Sequence, residues 1–198
     1  FLHFVHLKIE DDQLGSETRV MSVNFAARLE THLAARLNAG KLLALHFSQA
    51  GPVDVESFRA ETTLFHQLFG DLQALNWVDP DGIVRIVTPE QGNAAALGLD
   101  LNTLPEPTAA LARARASGML QITPPITLAQ GGTGFVAYIP MTSNGQQTGF
   151  LNIVFRAEPL MSNALAESPQ GLYTARVSDG EVVLFETNPS TNAVAERF

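Results

Sequence analysis

The chain has 198 residues, of which 45% are hydrophobic, so it is long enough to bury a core as one larger domain or two smaller ones. A formal net charge of -8 argues against nucleic acid or an anionic membrane surface as a partner, because both bind basic protein surfaces. The sequence contains no cysteine, which excludes disulfides and thiolate metal sites.

The chain opens on the apolar stretch Phe1 to Leu7, which is too short to span a bilayer, since a spanning helix takes about 20 residues. We interpret it either as the water-side end of a transmembrane helix or as a local strand. As a strand, the alternating apolar and polar residues over 2–10 would pair beside a hairpin late in the chain and complete the second module, which is otherwise a small one.

The pattern from Thr18 to Gln49 predicts one long helix, which ends before Gly51-Pro52. At about 1.5 Å per residue, such a helix approaches 50 Å in length, more than a domain of this size needs for its own core. We therefore predict a homodimer through the apolar residues that recur at every fourth position of this helix, Phe25, Leu29, Leu33 and Leu37. The alternative is that this stripe packs entirely on its own domain.

Asp54 is a suitable N-cap for a second helix that ends at Gly70. Beyond it, the period changes from that of helices to that of strands, with strands predicted at 72–78 and 83–89 around the turn Asp79-Pro80-Asp81-Gly82. Two short helices follow, one after Asn93 and one from Thr108 to Gly118. Three further strands are predicted at 120–130, 134–142 and 148–156.

This order predicts a mixed α+β fold, with a long N-terminal helix and a PAS-like antiparallel sheet of five strands that has its helices on one face. After Pro159, a short helix leads to a last hairpin around Asp179-Gly180, which indicates a smaller second module. We predict three regions: the N-terminal strand and helices (1–71), the ligand-binding module (72–167), and a membrane-proximal module formed by 168–198 together with 1–17.

Three stretches carry a family resemblance: "LQALNWVDPDGIVRIVTPEQGNAAALGLDL", "ALARARASGMLQITPPITLAQGGTGFVAYIPM" and "GFLNIVFRAEPLMSNAL". With the helix before them, they resemble a CHASE domain over roughly residues 18–167. CHASE domains are extracytoplasmic sensors of bacterial and plant receptors, set between two transmembrane helices, with a long N-terminal helix that mediates dimerisation and two PAS-like modules.

The resemblance implies a periplasmic ligand-sensing domain of an inner-membrane signalling receptor, either a histidine kinase or a cyclic-di-GMP enzyme. It further implies a small-molecule ligand, a homodimer, flanking transmembrane helices and an output domain outside this chain. The alternative is a free-standing periplasmic binding or structural module without signalling output.

The resemblance also nominates one ligand contact. In the plant cytokinin-binding members, an Asp in the matching Leu-Asp-hydrophobic stretch hydrogen-bonds the ligand, and the position that matches it here is Asp100. The alternative role for Asp100 is to cap the loop that follows it.

On the predicted sheet, polar side chains that face the helices must find a partner, and a ligand is one candidate. The stronger candidates for ligand contact are therefore Thr123, Tyr138 and Asn152, whereas Phe135 and Phe150 are more typical of an ordinary core. The candidate ligand-binding residues on the sheet are Ile122, Thr123, Phe135, Tyr138, Phe150 and Asn152.

No pattern in the sequence indicates catalysis. No nucleophile has an adjacent base, the five histidines show no metal-ligand spacing, and the "GGTG" motif at 131–134 lies between two strands, as a hairpin turn does, rather than before a helix, as a phosphate loop does. We therefore predict a non-enzymatic chain without a metal or a cofactor, whose catalytic output, if it has one, belongs to another part of the receptor.

Overall fold

The computed structural model describes residues 6–8, 15–166, 176–179 and 182–186. The chain forms two compact units, one from the described parts of 1–34 and 157–198 and the other from 35–156. Helix α1 (Gly15–Ala50) contributes its first part to the one unit and its second part to the other. None of the helices within 15–166 combines the length and the apolar character that a membrane span requires.

Helix α2 (Val55–Phe69) packs antiparallel to the second half of α1. Asp54 caps its start, because a carboxylate oxygen of Asp54 accepts a hydrogen bond of 2.8 Å from the Ser57 backbone N–H. Gly70 ends it with the positive φ of 37° that this position of a helix terminus requires. The rings of Phe47 and Phe58 meet between the two helices, with their centroids 4.9 Å apart.

The apolar stripe of α1 corrects the predicted dimer interface. A dimer interface needs side chains on the surface of the protomer, but all four residues of the stripe are at most 8% exposed: Phe25, Leu29, Leu33 and Leu37. They therefore belong to the protomer's own core, as the alternative interpretation held.

The main sheet has six antiparallel strands in the order β3-β2-β7-β6-β4, and β5 also pairs with β6. The strands are β2 (Leu72–Val78), β3 (Val84–Thr88), β4 (Gln121–Ile122), β5 (Ile126–Thr127), β6 (Thr133–Ser143) and β7 (Gln146–Arg156). The single strand predicted at 120–130 is two short strands, because Pro124 and Pro125 have no N–H to donate to β6. The sheet therefore has six strands where five were predicted.

Helices cover both faces of this sheet, not one. Gly40 of α1 lies against Ile139 and Ile153, and α2 packs on β2 and β3. Helix α3 (Pro105–Ser117) packs on β6, in a cluster that contains Tyr138 and Phe150. Because successive side chains of a strand point to opposite faces, Ile139 and Tyr138 lie on opposite faces, and α1 and α3 therefore do so too.

The other unit contains a three-stranded sheet in the order β1-β8-β9, formed by β1 (His6–Lys8), β8 (Arg176–Asp179) and β9 (Val182–Glu186). β1 pairs antiparallel with β8, with His6 opposite Ser178. Helix α4 (Ala157–Ala166) packs on β9. Of the rest of the predicted membrane-proximal module, residues 15–17 belong to α1, and the remaining residues lie outside the described part of the chain.

Candidate ligand-binding site

Polar side chains form a row across the centre of the six-stranded sheet. Asn76 of β2 pairs directly with Asn152 of β7, and Asn152 pairs with Tyr138 of β6. Gln121 of β4 stands opposite Tyr138 at the end of this row. Residues directly opposite each other in a sheet point to the same face, so Asn76, Asn152 and Tyr138, which we call the polar row, share one surface.

The polar row lies in otherwise apolar surroundings beneath helix α3. Tyr138 belongs to a buried hydrophobic cluster with Ala110, Leu111 and Ala114 of that helix. The neighbouring rows of the same face are apolar, and they contain Ala74, Val78, Val136, Phe150 and Val154. All three members of the polar row are at most 3% exposed, so water does not reach them in this structure.

The hydrogen bonding of the polar row is incomplete. Asn76 Nδ2 lies 3.4 Å from Asn152 Oδ1, which is long for a hydrogen bond. Asn76 Oδ1 is buried and has no hydrogen-bond partner among the described residues. An unsatisfied buried acceptor costs about 1–3 kcal/mol, so this arrangement destabilises the fold unless another molecule supplies the missing partner.

All members of the polar row are uncharged. Burial disfavours the phenolate and raises the pKa of Tyr138 far above its ordinary value, so its hydroxyl is neutral and can both donate and accept. The two amides add donors and acceptors without charge. The row can therefore bind and orient a hydrogen-bonding molecule, but it carries no nucleophile or general base.

The structure brings together three of the predicted ligand-binding residues and separates the others. The face under α3 contains Tyr138, Phe150 and Asn152, and the rings of Tyr138 and Phe150 are nearly perpendicular, with their centroids 6.5 Å apart. Ile122 and Phe135 fall on the opposite face, since they pair with Ala137 and Phe155, and Phe135 stacks on Phe155 at 5.0 Å.

Thr123 has a structural role at the sheet edge. Its hydroxyl accepts a 3.0 Å hydrogen bond from the Val136 N–H. Just after the end of β4, this side chain thus takes the place of a backbone carbonyl as the acceptor. Asn76 was not among the predicted ligand-binding residues, although a buried polar residue between Leu75 and Trp77 in the strand "LQALNWV" is the pattern that could have identified it.

Asp100 caps a short 3-10 helix at Leu101–Thr103. Its Oδ1 accepts hydrogen bonds of 2.9 Å from both the backbone and the side-chain nitrogen of Asn102. Its backbone forms an isolated antiparallel β-bridge with Ile83, just before β3. The structure thus contains the capping arrangement that sequence analysis gave as the alternative, and ligand contact by Asp100 stays a prediction.

Charged groups lie around the polar row rather than in it. The Arg115 guanidinium of α3 lies over the Phe150 ring at 5.5 Å and donates a 2.6 Å hydrogen bond to the Pro80 carbonyl. Asp79, at the end of β2, accepts from the Ile83 N–H and from Arg85. Burial alone would raise the pKa of Asp79, but these two interactions outweigh it and lower the pKa.

A second concave surface lies on the face of the sheet that α1 covers. An open groove of about 460 Å³ runs between the end of α1 and the β6–β7 hairpin, and sequence analysis gave no indication of it. The Ser48 hydroxyl at this groove is already engaged, because it donates to Ala44 and accepts from the Thr142 N–H. The groove is open and mostly polar, so it lacks the apolar enclosure typical of ligand sites.

Solved structures with this fold are receptor domains. The chain is similar to the ligand-binding domain of the Campylobacter jejuni chemoreceptor Tlp3 in complex with 4-methylisoleucine, with a TM-score of 0.65, 14% identity, and coverage of 89% of this chain and 72% of that one. For the Pseudomonas aeruginosa amino-acid chemoreceptor domain in complex with GABA, the TM-score is 0.60 and the identity 19%, with coverage of 83% and 73%.

An extracellular ligand-binding receptor from Desulfohalobium retbaense matches with a TM-score of 0.56 and 14% identity over 72% of this chain, which spans only 26% of that receptor. At these identities, the likeness establishes the fold. The predicted mixed α+β, PAS-like class with a long N-terminal helix is thereby confirmed.

No curated protein matches the sequence. The family model described as the CHASE domain matches residues 51–194, which is well over half of the chain. The family match and the receptor folds together support an extracytoplasmic sensor domain and contain no indication of an enzyme. The resemblance found in the sequence is confirmed: the chain belongs to the CHASE domain family.

Proposed function

We propose that this chain is the ligand-sensing part of a transmembrane signalling receptor, that it binds a small molecule between the polar row and helix α3, and that it transmits the resulting change across the membrane. The observation that carries this proposal is the polar row itself, Asn76, Asn152 and Tyr138, buried in an apolar face with an unmet acceptor. Binding sites have this composition, with apolar walls and a few fixed polar groups.

Helix α3 covers the polar row, so a ligand can reach it only if α3 moves away from the sheet. This movement is opposed by the burial of Ala110, Leu111 and Ala114 in the core cluster. It is also opposed by the polar contacts of Arg115 with Pro80 and of Arg113 with Gln121. A ligand that binds the displaced arrangement more tightly shifts the population toward it. That difference in affinity supplies the free energy for a signal, which flanking transmembrane helices would carry to an output domain elsewhere in the receptor.

The test is a melting-temperature screen of the 198-residue chain with free amino acids, small organic acids, purines and neutral lactams. A compound that binds only the folded state at a hundredfold excess over its dissociation constant adds about 2.7 kcal/mol of stability. We expect at least one compound to raise the melting temperature of the wild type.

The variants Asn152→Val and Ala112→Phe show where the compound binds. Asn152→Val removes a member of the polar row, so the shift should vanish. Ala112 is exposed on α3, so Ala112→Phe should leave the shift unchanged. A shift that persists in Asn152→Val, or a complete absence of shifts, contradicts the proposed site.

The homodimer stays part of the proposal, with a corrected surface. Since the predicted stripe is buried, the dimer would use apolar side chains that remain exposed on the two long helices of the larger unit. Four are available, Leu42 and Leu45 on α1 and Leu64 and Leu68 on α2, and each is more than half exposed. Exposed leucines that recur at intervals of three and four place apolar area on one side of each helix.

Cysteine cross-linking in the full receptor tests the dimer. Since the chain has no cysteine, Leu42→Cys and Leu68→Cys would each be the single thiol of the domain. We expect disulfide-linked dimers from at least one of them and none from Ala109→Cys, an exposed position on α3. Failure of both leucine positions to cross-link would exclude this surface.

A further inference from the structure

The chemistry of the polar row restricts the kind of molecule that it can accept. The row offers amide N–H donors, amide oxygens and a hydroxyl, all within one line of directly paired residues. One of these acceptors, Asn76 Oδ1, is buried and has no partner among the described residues. A molecule that fits this row must therefore present a donor to Asn76.

No charge is available at the row to neutralise a charged ligand. Two carboxylates are buried in the larger unit, and each already has a cationic partner: Asp71 with Arg36 and Asp79 with Arg85. Two cations of α3 lie near the row. The Arg115 guanidinium is engaged with the Phe150 ring and the Pro80 carbonyl, and Arg113 Nε lies 3.4 Å from Gln121 Oε1.

An ion moved from water into such surroundings loses its hydration without gaining a counter-charge, which strongly disfavours binding. A free amino acid carries two such ions, a carboxylate and an ammonium group. The row therefore disfavours amino acids, although similar folds have been solved with ligands of this kind.

We propose that the ligand is an uncharged molecule that presents a cis-amide edge, that is, an N–H and a C=O side by side as in a lactam or a cyclic dipeptide. This inference rests on the proposed function and deepens it. The Asn side chain has the complementary edge, one oxygen acceptor beside one N–H₂ donor, so the pair forms two parallel hydrogen bonds. The N–H of the ligand meets Asn76 Oδ1, and its C=O accepts from the amide or hydroxyl groups of the row.

Matched pairs of compounds isolate charge from size. 2-Pyrrolidinone is the neutral lactam of GABA, δ-valerolactam is that of 5-aminovalerate, and cyclo(Leu-Gly) is the cyclic form of the zwitterion Leu-Gly. Each pair would be titrated into the ¹⁵N-labelled 198-residue chain, with the side-chain amide signals of Asn76 and Asn152 as the readout. We expect the cyclic member of at least one pair to shift these signals and to bind at least tenfold more tightly than its open form.

Variants separate binding at the row from binding elsewhere. Asn76→Val should weaken the cyclic compound by about tenfold or more, because it removes the acceptor for the ligand N–H. The double variant Asn76→Val/Asn152→Val removes the amide pair as a unit and leaves no unpaired amide behind. It should abolish binding of the cyclic compound in a folded protein, as measured by the backbone amide signals that the compound shifts in the wild type. Asn38→Val, at an exposed asparagine of α1, should bind like the wild type.

Three results would overturn the inference. The first is that the open, zwitterionic compound of a pair binds more tightly than the cyclic one and loses its binding in Asn152→Val. The sensor function would then stand, but the ligand would be a charged molecule. The second is binding of the cyclic compounds that the double variant does not affect. The third is that no pair perturbs either asparagine, whereas the wider screen finds a ligand that Asn152→Val loses.

Discussion

Arg36 of α1 and Asp71, next to the start of β2, form an ion pair that is almost completely buried. Arg36 Nε lies 2.9 Å from Asp71 Oδ1, and the two side chains are 11% and 2% exposed. The guanidinium carbon also lies 5.2 Å from the centre of the Phe69 ring at the end of α2. One arginine thus joins α1, the end of α2 and the entry to the sheet.

Arg36→Met should therefore lower the free energy of unfolding by about 3 kcal/mol, because it leaves the Asp71 carboxylate buried without its cation. Denaturation by urea measures this loss. The double variant Arg36→Met/Asp71→Leu should recover part of it, since neither charge remains. Arg59→Met, which breaks an exposed pair with Glu90, should cost less than about 1 kcal/mol. Equal losses at Arg36 and Arg59 would contradict this account.

The two asparagines of the polar row should be coupled in stability. Asn152→Val alone removes the only partner that the described structure gives the Asn76 amide, and should cost about 1–3 kcal/mol. The double variant Asn76→Val/Asn152→Val should equal or exceed the stability of the wild type, because β-branched residues suit a buried strand and no amide is left unpaired. A double-mutant cycle by chemical denaturation provides the coupling energy, and strictly additive losses would contradict the account.

Gly134 should tolerate no side chain. A Cβ at this position would lie within van der Waals overlap of the Phe155 carbonyl oxygen, which belongs to the backbone of the neighbouring strand and cannot move aside. Gly134→Ala should lower the melting temperature and cost about 1–3 kcal/mol. Gly40→Ala is the control, because its methyl group would meet the flexible end of Ile153, while it gains about 1 kcal/mol of helix propensity. We expect it to be close to neutral.

Asp79 should contribute to the loss of stability in acid. Its folded-state pKa is lowered, so the unfolded chain takes up the proton first as the pH falls. The stabilisation is fully present above the unfolded value, about 3.9, and is lost as the pH falls through the lower folded value. Below about pH 4, the free energy of unfolding of Asp79→Asn should therefore fall less steeply with decreasing pH than that of the wild type.

Asp100→Ala should destabilise the loop between β3 and α3. The carboxylate accepts two hydrogen bonds from Asn102, and the loss of such a cap costs about 0.5–2 kcal/mol. The difference in melting temperature between Asp100→Ala and Asp100→Asn, which keeps an acceptor, measures the stability that the cap contributes. Should the melting temperature stay unchanged while a ligand loses affinity, the role in ligand binding would be the correct one and the capping role would be minor.

Much of this fold is predictable from local patterns. Strand β2 was predicted with its observed bounds, 72–78, and β6 and β7 within two residues at each end. These segments alternate strongly or are continuously apolar, and glycine-containing turns mark where they stop, so the information is local. The bounds of α1 differ from the prediction by three residues at the start and one at the end for the same reason.

The site was harder to predict because it depends on register. Phe135 and Tyr138 are close in sequence but lie on opposite faces, and only the pairing with β7 decides which face meets α3. Asn76 lies 76 residues before Asn152, so no local pattern relates the two. Likewise, periodicity identified the apolar stripe of α1 but contains no information on whether the stripe meets the same chain or a second copy.

The interruption of the strand at 120–130 has a consequence for how copies of this domain can associate. At that edge of the sheet, β4 and β5 have two residues each, with Pro124 and Pro125 between them, so a foreign strand finds no continuous run of backbone donors. At the other edge, Gly98 and Leu99 hydrogen-bond to Val84 and occupy the outer side of β3. Within residues 35–156, the edge at β4 and β5 and the start of the β3 edge at Val84 are thus protected against strand addition. Within this unit, we therefore expect copies to associate through side chains on helices rather than through the edge formed by β4 and β5.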